Sequence, residues 1–329
     1  MKPFFATAIA FWTLNFAEGI GFFRKTQDTV KPPERAYILQ SNDDGWAELN
    51  IRLLNDALIA KGHHVFLCAP AEDKSGWGPK DPIWPEPPIR SKPCHYNSCP
   101  ADTGENHGFN ETRSDLCWVN SYARSAVRIG LRTYAKRHWG EDRWADLVVT
   151  GPNVGTNLGH VVQWSSTCQA AIFAAAQDIP AIAFSVADNQ HHAWNVQPVP
   201  EANRVYAELA AMITQKIIDG GKPYLRYQVF VNVNFPKSDT KNNRCTKVSD
   251  FKFIFTRMEE TEKKKPDVAW CGTRKLPVEK HVVHRQDGCF VSITPGSIGS
   301  RTMGDTGNQK DVLNRLKSIL SCLPPEKSS

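Results

Sequence analysis

Beyond residue 35 the chain alternates between short apolar runs and stretches in which apolar residues recur every three or four positions. Residues 36–40 (AYILQ) read as a short buried strand. Ile51, Leu54 and Leu58 then recur at helical spacing, and Gly62 stops that helix. Residues 64–69 (HVFLCA) predict a second strand ending at Pro70. Residues 119–139 predict a helix with Ala123, Val127, Leu131 and Tyr134 on one face. A third strand follows at 146–150 (DLVVT), an Ala-rich helix at 167–177 and a fourth strand at 181–185 (AIAFS). A helix at 202–218 and a fifth strand at 228–235 (QVFVNVNF) complete the series.

Strict β-α alternation implies right-handed crossovers. It predicts an α/β fold: a doubly wound, mainly parallel sheet in a three-layer αβα arrangement, Rossmann-like. The segment 236–329 breaks the pattern. It holds two strand-like runs, 251–256 and 289–294, and a last helix near 311–320, and is expected to form an appended hairpin-and-helix extension. The core then spans 36–235. Within it, 79–115 is an irregular excursion with seven prolines, read as a functional loop or insertion.

The N-terminus changes the picture. Lys2 precedes an apolar run from Phe4 to Phe16, and small residues Ala17 and Gly19 follow. This is a signal-peptide pattern, expected over 1–19, with a polar, Pro-containing linker over 20–35. The competing reading is a buried N-terminal helix. A membrane anchor needs about 20 apolar residues, which this run does not reach, so no membrane association is expected. Nine cysteines then fall in an oxidising, extracellular compartment. Cys94 and Cys99 can close a short ring; Cys245, Cys271, Cys289 and Cys322 are further candidates; Cys68 reads as a free core thiol. The single sequon Asn110-Glu111-Thr112 suits a secreted glycoprotein. Net charge is only +6 over 329 residues, and the run Lys263-Lys264-Lys265 reads as a solvated loop, so no nucleic-acid polymer is expected as a partner.

In doubly wound sheets ligands bind beyond the carboxyl ends of the strands. After strand one come Ser41, Asn42, Asp43, Asp44 and Gly45; after strand two, residues 71–76 (AEDKSG); after strand three, residues 151–159 (GPNVGTNLG). Two carboxylates, a hydroxyl and two side-chain amides thus gather on one edge. Oxygen donors of this kind suit Mg²⁺ or Mn²⁺ rather than zinc. Alone, Asp-Asp-Gly is a plain turn; its placement opposite two polar, Gly-rich loops favours a site. The third loop matches neither dinucleotide nor nucleoside-triphosphate motifs. Ser165, Ser166 and Thr167 open the Ala-rich helix, whose N-terminus suits phosphate and is equally an ordinary N-cap.

These residues resemble the SurE family of metal-dependent nucleotidases and acid phosphatases. The family's SNDDG is matched at 41–45, its AP and SG at 69–70 and 75–76, and its SGxNxGxNxG at 150–159 (TGPNVGTNLG). Its YSGTVGAA and PAIAFS face 164–171 (WSSTCQAA) and 180–185; NVNxP and VSVTP resemble 232–236 and 291–295. The resemblance implies that Asp43, Asp44, Ser75 and Asn153 hold the metal and that Asn42, Gly45, Ser165 and Thr167 lie against phosphate. It makes Asp43, Asp44 and Asn42 the catalytic set, with either aspartate as base. It also implies a homodimer or homotetramer, with 236–294 as an assembly element. Ser166 and Gln169 depart from family glycines.

The expected function is release of phosphate from nucleoside monophosphates or similar small phosphate esters. The alternative is a secreted nucleotide- or phosphate-binding protein that has lost catalysis, favoured by Ser166 and Gln169 and opposed by the intact Asp43, Asp44, Ser75 and Asn153. A Ser/His/Asp hydrolase lacks the G-x-S-x-G elbow. His160 and the pair His191-His192 carry little signal. Trp46, Trp77 and Trp164 adjoin the site loops and either stack on a base or pack the loops.

Overall fold

Ile38 and Leu39 are consecutive residues of the first strand, and each is buried in a different apolar cluster. Side chains alternate along a strand, so a strand covered on both faces carries apolar residues at successive positions. The computed structural model describes residues 34–82, 89, 91–101, 104–260, 266–298 and 305–326. The expected signal peptide, nearly all of the linker and the Lys263–Lys265 run lie outside the described residues.

In chain order the elements are β1 (Tyr37–Ser41), α1 (Leu49–Ala60), β2 (His64–Pro70), β3 (His107–Phe109) and β4 (Leu116–Val119). Then come α2 (Ala123–Ile129), α3 (Ala135–Trp139), β5 (Leu147–Val154), α4 (Ser166–Ala176), β6 (Ala181–Val186), α5 (Glu201–Asp219) and β7 (Val229–Phe235). The chain closes with β8 (Phe251–Phe255), α6 (Glu279–Val283), β9 (Cys289–Ser297), α7 (Thr306–Leu316) and β10 (Leu320–Ser321). All ten strands form one sheet in the order β10-β8-β9-β7-β6-β5-β1-β2-β4-β3. From β7 across to β4 every pairing is parallel. The doubly wound α/β class expected from the alternation is the one observed.

Leu54 and Leu58 of α1, Val205 and Leu209 of α5 and Val312 of α7 bury one face of the sheet. Ala126 and Val127 of α2 and Ala170, Ala171 and Ala174 of α4 bury the other. The alanines let α4 lie close to the sheet, which brings its N-terminus down to the strand ends. Chain order runs one way from β1 through β2 to β4 and the opposite way from β5 to β7. The cleft between β1 and β5 is therefore the topological switch point.

Three corrections to the sequence reading follow. The extension is not a hairpin: β8 pairs with β9 in parallel, and β9 is antiparallel to β7. The connection between them is long enough, and carries α6, to return the chain to the starting edge. Second, residues 116–119 (LCWV) are a strand paired with β2, so the helix expected from 119 begins only at Ala123. Third, α7 begins at Thr306, where Asp305 caps it by accepting from the Asn308 amide at 2.8 Å. Three disulfides are present, Cys94–Cys99, Cys245–Cys289 and Cys271–Cys322. Cys68 is a buried free thiol, as are Cys117 and Cys168. Among the described residues, no helix is long and apolar enough to cross a membrane.

Candidate active site

β1 ends at Ser41, and its continuation places Asn42, Asp43 and Asp44 at the switch point, all three buried. Gly45 turns the chain sharply with φ of 107°, and its amide donates to Asn42 Oδ1 at 3.2 Å. A Cβ at Gly45 would stand 3.4 Å from the Glu72 carbonyl carbon, so the first and second loops touch at this residue. The contact is extended by the Lys74 amide, which donates to the Asp43 carbonyl at 2.7 Å.

β5 supplies the third loop. Gly151 has φ of 89°, and a Cβ there would lie 2.2 Å from the Phe184 carbonyl oxygen, so only glycine fits this bend. Asn153 follows, and its Oδ1 accepts from the Thr167 hydroxyl at 3.2 Å. The same hydroxyl donates to Asp43 Oδ1, and the Thr167 amide donates to Asp43 Oδ2 at 3.1 Å. Asp44 Oδ2 accepts from the Val154 amide at 3.0 Å. Asp43, Asp44 and Asn153, distant along the chain, thus meet around the N-terminus of α4.

The expected site residues divide as follows. Thr167 is engaged with Asp43 and Asn153. The Gly45 amide is likewise engaged with Asn42. Ser165 caps α4 by accepting from the Cys168 amide at 3.1 Å, and its hydroxyl also lies within hydrogen-bonding reach of the Cys168 thiol. Asn42 Nδ2 is buried with no hydrogen-bond partner, a donor aimed at nothing in the protein. Ser75 is exposed on the loop that touches Asp43. Ser166 hydrogen-bonds the Lys74 carbonyl at 3.1 Å, and Gln169 donates to the Val162 carbonyl at 3.2 Å. Ser166 therefore ties the helix start to the second loop. Trp46 is buried, whereas Trp77 and Trp164 are half or more exposed.

Burial, opposed by the bonds from Thr167, pushes the Asp43 carboxyl up to about 6. Burial, then the charges of Asp43 and Glu48, holds Asp44 well above the carboxylate range. Among the described residues no lysine or arginine pairs with either; the nearest basic group is His191, whose Nδ1 lies 3.9 Å from Asp44 Oδ1. Asp44 Oδ1 is buried and accepts no hydrogen bond. Two adjacent buried carboxylates with an orphaned oxygen and an amide oxygen beside them fit a hard divalent cation. Burial pushes the Cys168 thiol up to about 12, so it offers no thiolate nucleophile. Neither Ser165 nor Ser166 hydrogen-bonds a histidine.

Two residues here carried no sequence signal. Glu48 caps α1 from a buried position, accepting from the Asn50 amide at 2.5 Å and the His192 amide at 3.4 Å, and burial pushes it up to about 8. Glu279 of α6 is buried and accepts from the Gly159 amide at 2.7 Å, Asn232 at 3.1 Å and Thr294 at 2.7 Å. It pins the far end of the third loop from 120 residues away.

A doubly wound α/β sheet with paired buried aspartates at its switch point and a helix N-terminus closing over them defines a distinct class of site. The chain belongs to the survival protein SurE family, whose sequence profile matches residues 38–264. An acid phosphatase of Yarrowia lipolytica is 28% identical, over 95% of this chain and 93% of its own. The 5'-nucleotidase SurE 1 of Thermus thermophilus is 30% identical, over 79% of this chain and 91% of its own. The crystal structure of the SurE protein from Aquifex aeolicus superposes with a TM-score of 0.54 at 22% identity, covering 80% of this chain and 93% of that one. The last likeness speaks for the fold.

Proposed function

We propose that this protein is a divalent-metal-dependent phosphomonoester hydrolase acting on nucleoside monophosphates or similar small phosphate esters. The observation that carries the reading is the buried Asp43–Asp44 pair, met by Asn153 and, among the described residues, compensated by no lysine or arginine. Its relatives named acid phosphatase and 5'-nucleotidase support the same chemistry.

Asp43, Asp44 and Asn153 would hold Mg²⁺ or Mn²⁺, with Ser75 on the adjoining loop as the fourth ligand. That cation supplies charge neutralisation of the phosphate and activation of water. The unpartnered Asn42 Nδ2 donates to an equatorial phosphate oxygen, and the Ser165 hydroxyl, turning from the Cys168 thiol, donates to another. The α4 N-terminus adds its dipole to the same charge. One of the two aspartates takes the proton of the attacking water. Thr167 holds Asp43 and Asn153 in mutual register.

Ser166 and Gln169 are engaged with backbone carbonyls, which weakens the case that they mark a protein that only binds phosphate. We also read the chain as secreted; its three disulfides and the sequon at Asn110 support that reading. The test is phosphate release from nucleoside monophosphates and p-nitrophenyl phosphate, with and without EDTA. Release that EDTA abolishes and Mg²⁺ or Mn²⁺ restores is expected. Tight nucleotide binding without release would establish the non-catalytic alternative.

A further inference from the structure

Among the described residues of the Pro-rich excursion, the loop closed by the Cys94–Cys99 disulfide reaches the edge of the site. Both cysteines are buried and pack with Trp46, Ala71 and Trp118. The His95 amide donates to the Ala71 carbonyl at 2.9 Å, which fastens the loop to the first residue after β2, where the second site loop begins. This is the carboxyl edge of the sheet, where ligands of doubly wound folds sit.

Within the loop Tyr96 and Asn97 have φ of 58° and 54°. Left-handed backbone is costly for residues other than glycine, and the cost persists only where surroundings impose it. Here the disulfide and the bond to Ala71 impose it. A loop that merely plugged the core would be made more cheaply with glycine at these positions. Tyr96 instead stands half-buried, stacked on the His95 ring at 3.9 Å between centroids. Its ring packs against the cluster holding Trp46, Ala47 and Ala71, the first of which lies two residues after Asp44; burial and then the charges of Glu48, Asp44 and Asp73 push its phenol up to about 12. It is therefore an uncharged aromatic face with one hydroxyl donor, beside a strongly acidic cleft.

A phosphate ester whose phosphorus sits at Asp43 and Asp44 must direct its leaving group out of that cleft. We propose that Tyr96, presented by the Cys94–Cys99 loop, contacts the leaving group and selects esters with a planar, ring-bearing leaving group over small aliphatic ones. This rests on the hydrolase reading above and assigns the specificity of the same site.

The test compares wild type, Tyr96→Ala, Tyr96→Phe and a Cys94→Ser/Cys99→Ser double variant on a nucleoside monophosphate, p-nitrophenyl phosphate and glycerol 2-phosphate. Tyr96→Ala and the double variant are expected to lower kcat/KM on the first two by about tenfold, the size of one base–aromatic stack. Glycerol 2-phosphate turnover is expected to stay within about twofold, and Tyr96→Phe to retain most of the preference for rings. Equal losses on all three esters, or no loss on any, would overturn the proposal. Calorimetric binding of the nucleotide and of glycerol 2-phosphate gives the same comparison without turnover. A chain that binds the nucleotide in preference through Tyr96 but releases no phosphate would thus sink the hydrolase reading and uphold this one; equal affinities in wild type and Tyr96→Ala would sink this one.

Discussion

Thr167 donates twice to Asp43, through its hydroxyl to one carboxylate oxygen and through its amide to the other. The amide belongs to the first turn of α4, so the helix dipole is directed at this one carboxylate. Asp43 is thereby both desolvated, which raises its carboxyl to about 6, and steadied by the two bonds from Thr167, which oppose the rise. Asp43→Asn keeps the shape and removes the charge. Phosphate release is expected to fall by at least about a hundredfold, the scale of losing one charge-stabilising group. Steady-state phosphate assays check this, and near wild-type turnover would remove Asp43 from the mechanism.

The pH dependence of stability follows from the same carboxyls. Asp43, Asp44 and Glu48 are all raised above their ordinary values by burial. With no cation bound, the folded state holds protons that the unfolded chain releases, so stability is fully present below about pH 4 for this set and is lost as pH rises through about 6 and on toward 8. A cation bound to the ionised pair offsets that loss. The gain in Tm on adding Mg²⁺ or Mn²⁺ is therefore expected to be larger at pH 8 than at pH 5. Thermal denaturation at the two pH values decides it; a gain independent of pH would be inconsistent with Asp43 and Asp44 as ligands.

Glu279 offers a test away from the reacting atoms. Its two oxygens take three donors, from Gly159, Asn232 and Thr294. Glu279→Ala leaves the Gly159 amide without a partner and takes one acceptor each from Asn232 and Thr294, which keep Asn157 and Thr256, and is expected to cost about 2 kcal/mol. Glu279→Gln keeps an acceptor for the Gly159 amide and should cost less. Because the Gly159 end of the loop slackens, the metal concentration for half-activation should rise in the alanine variant and recover in part in the glutamine one. Urea denaturation and metal titration read the two effects separately.

Much of this was legible in the order of residues along the chain. Strands such as 64–69 and 181–185 are apolar runs of the right length, and the loops after β1, β2 and β5 announce themselves by Asp, Asn and Gly. Knowing that ligands gather beyond strand carboxyl ends was enough to bring Asp43, Asp44 and Asn153 together. What stayed hidden were relationships that no local pattern encodes. Residues 116–119 are too short an apolar run to separate from the helix that follows. Pairing direction in the extension depends on how far the α6 connection travels. Thr167 was legible as a site residue, but not that its hydroxyl faces Asp43. Glu279 is one acid in a charged stretch, and nothing near it in sequence points to a partner 120 residues upstream.

The sheet described above runs from β10, of two residues, to β3, of three. A row of unpaired amides and carbonyls at a sheet border is a template on which another chain can lengthen the ladder. Here both borders are too short to hold a visiting strand in register, and the Cys271–Cys322 bridge keeps β10 fastened over β8. Removing β10 would uncover Phe253 and Ile254, leaving the whole five-residue border of β8 open to seed aggregation.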